Sequence, residues 1–591
     1  MYRAPVAEIA HTLKHVAGMK DALDGGKFGD LSEDLVDAVL EEAGKFASDR
    51  IAPLNKDADL IGAKLANAEV TTPPGFKETY KAWCEGGWNA IAGPEEYGGQ
   101  GLPNMLAIAA SEMWNSASMA FGLCPLLTIG AIEALDKHGS QELKDAYLEK
   151  LVSGEWSGTM NLTEPQCGSD LAALKTQAKP QGDGTYRIFG QKIYITFGEH
   201  DMADNICHLV LARLPDAPAG TRGISLFLVP KFLLNEDGTP GERNDLFCQS
   251  IEHKIGIHGS PTCVMIYGDG FGGREPGAIG YLIGEENRGL NCMFTMMNNA
   301  RLNVGTQGVS IGEAAYQHAL SYANERKQGK ASGYEGDGMA PIVYHPDVKR
   351  NLLTMKSMTD AARGICFSCA HALDMAHISD GEDKKFWSER AGLLTPIAKA
   401  FSTDIGCEAA SIGVQIHGGM GFVEETGAAQ YMRDGRINPI YEGTNGIQAI
   451  DLVTRKLPLS GGDAVKAYVT ELRGIVERVR GANHADFGKT AEFLDEAIND
   501  VEATTDWLME KMAAGELDTA LAGATPYLRQ FGIAAGGCYL AKSALAGEEK
   551  ARIGLARYFA ENYSRECSAL RQTVTEGADS LLAAGEMLKA G

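Results

Sequence analysis

Apolar residues change their spacing twice along this 591-residue chain, and no other feature limits its fold as strongly. Leu35, Val36, Val39, Leu40, Ala43 and Phe46 recur at helical spacing after Ser32, a side chain able to cap free amides, and Pro53 limits the segment. Further helices are expected over 78–84, 102–114 and 129–138, with a surface loop over 94–101. From Trp156 the pattern shortens. Segments 186–188, 191–196, 206–212, 224–229 and 262–267 are β-prone and separated by Gly-, Pro- and Asp-containing turns. Helical periodicity returns near Leu290 and is interrupted at 329–344, where Gly329, Gly333, Gly336 and Gly338 mark a loop flanked by Pro341 and Pro346. In the last stretch Val465, Tyr468, Leu472, Ile475, Val476 and Val479 trace one apolar helix face.

The expected organisation is an N-terminal arm (1–34) with one short helix around 9–19, a helical domain (35–155), a β domain (156–285), a second helical domain (286–455) and an accessory helical domain (456–591). An apolar fraction of 44% with 22% charged residues fits a soluble globular protein. Acidic residues outnumber basic ones 78 to 54, and from 461 onward 20 to 14, which argues against nucleic-acid binding. No apolar run reaches membrane-spanning length, the first residues carry no leader pattern and the last five no anchor or peroxisomal address, so a cytoplasmic protein is expected. The twelve cysteines are scattered. Cys366 and Cys369 form a single CxxC in an Ala-rich helical stretch, which reads as reduced and structural. His417 has no HxxH companion, so no metal is assigned, and no strand–GxGxxG–helix unit with an acidic partner supports a nicotinamide cradle.

Four segments carry the chemistry: Thr163-Glu164-Pro165-Gln166-Cys167-Gly168-Ser169-Asp170, Tyr194-Ile195-Thr196, Gln415-Ile416-His417-Gly418-Gly419-Met420-Gly421-Phe422, and Ile440-Tyr441-Glu442-Gly443-Thr444. Singly each has an ordinary reading: a strand-to-turn connection, a solvent-facing strand pair, a turn between helices, a solvated carboxylate. In this order, within a helical–β–helical chain, they resemble the acyl-CoA dehydrogenase family over most of 35–455. The arm, the 330–343 insertion and the long C-terminal block resemble its methylthiopropionyl-CoA dehydrogenase-like branch.

The resemblance implies an acyl-CoA dehydrogenase-like fold: N-terminal helical domain, middle β domain, C-terminal helical bundle and an additional C-terminal helical domain. It implies FAD, and α,β-dehydrogenation of a saturated acyl-CoA to a trans-2-enoyl-CoA, with Glu442 as the base for the α proton and the Glu442 backbone amide polarising the thioester. Leu162, Thr163, Gly168, Ser169, Tyr194, Thr196, Arg326, Gln415, Gly418, Gly419 and Thr444 correspond to flavin-site positions. Arg326, Gln415 and the paired glycines correspond to positions that complete a neighbouring subunit's site, so a homodimer or dimer-based tetramer is expected. Tyr194 and Thr196, two residues apart, are expected on one side of a strand; the family more often carries tryptophan at Tyr194. Arg301, Tyr441 and Gly443 correspond to substrate-side positions. An electron-transfer flavoprotein or equivalent acceptor is the implied partner. The preferred acyl group stays open among 3-(methylthio)propionyl, another short chain and a longer one. The alternatives are an acyl-CoA oxidase and a noncatalytic, nucleic-acid-associated flavoprotein.

Overall fold

The computed structural model describes residues 1–547 and 549–589. They form two compact units, each assembled from separate stretches of chain: one from Lys45–Pro103 and Ala117–Ala300, the other from Met1–Gly44, Asn104–Ser116 and 301–589.

The first unit is built on an eight-stranded sheet: β1 (Trp156–Asn161), β2 (Gln177–Pro180), β3 (Thr185–Thr196), β4 (Asn205–Arg213), β5 (Ile224–Pro230), β6 (Leu246–Ile251), β7 (Thr262–Tyr267) and β8 (Ala278–Ile283). The order is β6-β7-β3-β8-β5-β4-β1, with β2 beside β3. Neighbours run antiparallel except β1 with β4 and a single β2–β4 bridge. Strand β5 is buried at every residue. One face places Leu209, Leu211, Leu226 and Leu228 in a core with Leu127, Ala131, Leu148 and Leu151 from helices Met119–His138 and Gln141–Ser153. The other places Val210, Ala212, Phe227 and Val229 with Ile188, Cys248 and Met265. Burial on both faces explains apolar runs in place of alternation. Each buried Leu, Val, Ile, Phe or Met among them contributes about 1.5–3 kcal/mol. The helix Met119–His138 is long and apolar enough to cross a bilayer, and it is mostly buried here, packed on β1 where Gly158 leaves room for Ala131.

The second unit is helical. Helix α1 (Gly289–Glu325) enters it at Arg301; α2 (Pro346–Ile378), α3 (Gly381–His417) and the short α4 (Asn445–Asp451) follow. Gly305 lets α1 approach α3 closely: a Cβ there would lie 2.5 Å from the Ala398 carbonyl oxygen and 3.2 Å from the Lys399 Cα. Gly308 and Gly406 meet at the same crossing, each in backbone contact with the other helix. The predicted stripe from Val465 to Val479 is buried along helix Asp463–Ala482. That helix packs with Ala524–Gly547, whose Gly536 touches Ala361 of α2 at 2.7 Å by the same measure. Cys366 and Cys369 are buried free thiols, both pushed up to about 12 by burial.

Two local expectations are corrected. Leu35 is 45% exposed, whereas Val36, Leu40 and Ala43 form the buried face of helix Glu33–Phe46. The first 30 residues hold more than one short helix: Val6–His11 continues through a wide turn at Thr12–Val16, and Met19–Asp24 follows. Ile9, Leu13, Val16 and Met19 are buried. The segment is held from afar, by Arg552 on Glu8 at 2.9 and 3.0 Å and by Lys542 Nζ donating to the Val16 carbonyl at 2.6 Å.

Candidate active site

In the helical unit the chain leaves helix Ala428–Gly435 and must reverse before α4. It does so through two consecutive left-handed residues, Glu442 (φ 55°) and Gly443 (φ 85°). Glycine takes that conformation freely; for Glu442 it costs about 1–2 kcal/mol. Thr444 then caps α4, its Oγ1 accepting from the Ile447 amide at 3.2 Å. Tyr441 OH donates to Gln307 Oε1 of α1 and also lies 3.1 Å from Asn438 Oδ1. Asn445 ties the other end to α3: its Nδ2 donates to Asp404 Oδ1 at 2.8 Å and Thr403 Oγ1 at 3.0 Å, and its Oδ1 accepts from Lys399 Nζ at 2.9 Å. The turn is therefore clamped on both sides of Glu442.

Glu442 keeps partial exposure, yet burial pushes its carboxyl up to about 7, against the opposing charges of Lys399 and then Arg301. A carboxyl poised there can be ionised near neutral pH and still take a proton. Its backbone N–H has no protein acceptor among the described residues. Arg301 is held below its ordinary value by burial, which Asp451 and Glu442 oppose. Arg301, Tyr441, Glu442, Gly443 and Thr444 thus belong to one constellation. Lys399, Asn445 and Gln307 also belong to it, and the sequence reading did not single them out. The one local signal was a lysine inside the apolar run Ile397-Ala398-Lys399-Ala400-Phe401.

At the end of α1, Arg326 is exposed and makes no ion pair within 4.0 Å among the described residues. One turn earlier Tyr322 stacks on His417, ring centroids 4.5 Å apart, bringing this helix end beside Gln415, Gly418 and Gly419. Gln415 and both glycines are exposed, and a Cβ at either glycine would meet nothing within 4 Å. His417 is structural: besides the stacking, its Nδ1 is 2.7 Å from the Gly413 carbonyl.

In the sheet unit, Leu162 and Thr163 follow β1. The Thr163 carbonyl accepts from the Ile193 amide at 2.9 Å, and the Leu162 carbonyl accepts from Lys192 Nζ at 3.0 Å. Reciprocal backbone hydrogen bonds between Glu164 and Cys167 close the turn that presents exposed Gly168 and Ser169. Asp170 caps the next turn, accepting from the Ala172 amide at 2.9 Å. Tyr194 lies in β3 but is left-handed, φ 60°, where two residues of β3 oppose one of β7. Tyr194 is 60% exposed, Ile195 buried and Thr196 half-buried. An exposed aromatic ring, hydroxyls and unobstructed glycine backbone are the donors and surfaces a flavin dinucleotide requires.

Residues 34–155, 159–269 and 287–457 match the N-terminal, middle and C-terminal domains of acyl-CoA dehydrogenases, and 465–584 match an acetyl-CoA dehydrogenase C-terminal-like domain. The chain is 46% identical to 3-methylmercaptopropionyl-CoA dehydrogenase of Ruegeria pomeroyi, over 99% of both chains. It is 31% identical to a broad-specificity linear acyl-CoA dehydrogenase of Mycobacterium tuberculosis, over 97% of both. Its fold matches the solved acyl-CoA dehydrogenase of Bacillus anthracis complexed with FAD, with a TM-score of 0.74 at 21% identity, covering 100% of this chain and 94% of the other.

Proposed function

The chain belongs to the acyl-CoA dehydrogenase family, an FAD-dependent enzyme family, and from that premise we propose that it dehydrogenates a short thioether acyl-CoA, 3-(methylthio)propionyl-CoA, with Glu442 as the base. The observation that carries the base assignment is the carboxyl of Glu442, raised to about 7 by burial within a turn clamped to α1 and α3. Glu442 takes the α proton. The thioester oxygen is polarised by the Glu442 backbone N–H, which has no protein acceptor among the described residues. FAD, when bound, would supply the acceptor for the β hydride. Leu162, Thr163, Gly168, Ser169, Tyr194, Thr196 and Thr444 would hold the flavin. Arg301, Tyr441 and Gly443 would shape the acyl side. The thioether substrate rests on end-to-end similarity to the Ruegeria enzyme.

Arg326, Gln415, Gly418 and Gly419 serve, in this reading, the flavin of a second copy in a homodimer or dimer-based tetramer. Their exposure supports it, as does the apolar surface beside them, where Phe422 is 89% exposed and Met420 49%. Reduced enzyme passes electrons to an electron-transfer flavoprotein or an equivalent acceptor. The same reading places the enzyme in the cytoplasm, which cell fractionation tests.

The test of the chemistry is Glu442→Gln, compared at equal FAD occupancy and oligomeric size. The amide keeps size and backbone but cannot take a proton. Mixed with a substrate that the parent oxidises, the variant binds it and reduces its flavin at least about 10²-fold more slowly. Reduction at the parent's rate with release of the same enoyl product would remove Glu442 from the mechanism. A panel of saturated acyl-CoAs, scored by enoyl product, decides the substrate: a preference for straight chains without sulfur would overturn the thioether assignment.

A further inference from the structure

Lysine is rarely fully buried, and when it is, a partner must sustain its charge. Lys399 is wholly buried in the middle of α3, among buried Ile397, Ala398, Ala400 and Phe401. Helix propensity gives no reason for a charge at this point. The close crossing at Gly305, Gly308 and Gly406 fixes where the side chain starts, since the Lys399 Cα lies directly against Gly305 of α1. Asn445 fixes where it ends: the ammonium donates to Asn445 Oδ1 at 2.9 Å, and Asn445 is itself held by Ala400, Thr403 and Asp404 of the same helix. Asn445 stands three residues after Glu442. The ammonium is thus anchored at the turn that presents the carboxylate.

The charges around the pair can be named element by element. Glu442 faces Lys399 from α3 and Arg301 from α1. Lys399 faces Glu442, then Asp404 and Cys407 of its own helix, with Arg301 opposing. Arg301 faces Asp451 before Glu442, and Arg455 beside it. Arg301 is therefore first compensated by Asp451. The leading compensator of Lys399 is Glu442, and the leading cation on Glu442 is Lys399. Burial lowers Lys399 to about 7 while it raises Glu442 to about 7, so each group's charge depends on the other's.

We propose that Lys399 is a positioning residue for the dehydrogenation: its ammonium, anchored by Asn445, is the charge that keeps Glu442 a carboxylate before the α proton is taken. This rests on Glu442 being the base. A lysine that only tied α3 to the turn would, when replaced, slow the enzyme by one factor at every pH. A lysine that sustains the carboxylate has an effect that depends on pH.

The experiment uses FAD-loaded holoenzyme as the parent, Lys399→Met, Lys399→Arg, Asn445→Ala and Glu442→Gln, matched for FAD content and size. The first readout needs no turnover: infrared titration of the protonated carboxyl stretch, assigned to Glu442 by difference from Glu442→Gln. The second is the pH dependence of flavin reduction. Lys399→Met moves the Glu442 titration upward by about one pH unit or more, reduces flavin about tenfold more slowly on the acid side, and converges on the parent at high pH. Lys399→Arg keeps the parent profile in the main. Asn445→Ala, which frees the ammonium without removing it, shifts the titration in the same direction by less, and serves should Lys399→Met lose FAD. An unmoved titration in Lys399→Met, or in Asn445→Ala where only that variant is folded, overturns the proposal. So does a rate deficit equal at all pH. Rapid flavin reduction by Glu442→Gln would instead overturn the base assignment itself, a separate and recognisable failure.

Discussion

Replacing Lys192 by methionine breaks a buried ion pair of the sheet unit beside the proposed flavin segment. Lys192 Nζ lies 2.8 Å from Glu164 Oε1 and donates to the Leu162 carbonyl; the side chains are 0% and 3% exposed. The carboxylate has further donors: Thr176 Oγ1 at 2.6 Å, the Thr176 amide at 3.0 Å, the Lys175 amide at 2.7 Å and Gln166 Nε2 at 2.5 Å. Among the described residues the ammonium has only the carboxylate and one carbonyl. That asymmetry explains why burial prevails on Lys192, lowering it to about 8, whereas on Glu164 the lysine charge and the converging donors outweigh burial and hold it at about 2. Removing one partner of a buried pair costs about 3–5 kcal/mol because the other is left charged and uncompensated. Glu164 keeps its other donors, so the expected loss is near the lower end, about 3 kcal/mol.

At about 2–4 °C per kcal/mol for a unit of this size, the melting transition of Lys192→Met falls by about 6–12 °C by calorimetry. The double variant Lys192→Met/Glu164→Gln, with no charge left unpaired, recovers more than half of that. The pH dependence has a defined sign. In the parent, Glu164 is lowered from its ordinary 4.5 to about 2, so its contribution is complete above pH 4.5 and is lost as pH falls through about 2. In Lys192→Met the carboxyl rises, protonation becomes easier in the fold, and the deficit against the parent shrinks on acidification. Losing the Leu162 anchor also hastens FAD loss on gel filtration. A single variant that melts with the parent, or a double variant less stable than the single, would refute the reasoning.

The α1–α3 crossing should tolerate no side chain: Gly308→Ala pushes a methyl into the Ser402 carbonyl and is expected to cost about 1–3 kcal/mol, read from the denaturant midpoint. Flavin reduction in the parent should rise with pH through about 7, because the raised Glu442 is protonated and unable to act as base below that value; a flat profile from pH 5 to 9 would contradict it. Arg552→Ala removes the two hydrogen bonds to Glu8, and because both side chains keep some exposure the loss should be only about 1 kcal/mol, with faster proteolysis of the first 25 residues as the visible effect.

What could be read from the sequence was set by how local its cause is. Strand β7 matches the predicted 262–267 because its ends are defined by its own residues. Strand β3 was split at Gly190, read as a turn residue; in the fold Gly190 (φ 153°) is inside the strand, where Thr176 leaves space for no Cβ. Helix Met119–His138 was predicted only over 129–138; Gly122 and Pro125, residue types that disfavour helix interiors, lie in the half that was missed. Gly130 is a contact point, 2.9 Å from Met296 Cγ by the Cβ measure. The N-terminal segment looked like an arm because its partners, Ser543 and Arg552, are more than 500 residues away. Lys192 and Lys399 are single lysines in apolar surroundings, and nothing nearby in sequence identifies the carboxylates they serve.

The backbone at two motif residues goes beyond anything composition or spacing conveys. Glu442 and Tyr194, one from each unit, are non-glycine residues in the left-handed region, at φ 55° and 60°. Such residues cost about 1–3 kcal/mol each and persist only where their surroundings over-determine them. Around Glu442 the determinants are explicit: Gln307 and Asn438 hold Tyr441 on one side, and Thr403, Asp404 and Lys399 hold Asn445 on the other. Around Tyr194 they are the β3–β7 bulge and the anchoring of Lys192 and Ile193 to Leu162 and Thr163. In both places a motif residue is held in the left-handed region, and a buried lysine is hydrogen-bonded to the backbone or side chain that holds it there. The arrangement predicts that relaxing the backbone alone is harmful: Glu442→Gly removes strain yet loses the base, and Tyr194→Gly, which keeps the bulge and removes only the ring, should weaken FAD retention with little change in melting temperature. A marked fall in melting temperature in Tyr194→Gly, with FAD retained, would mean that the ring serves the fold and not the cofactor.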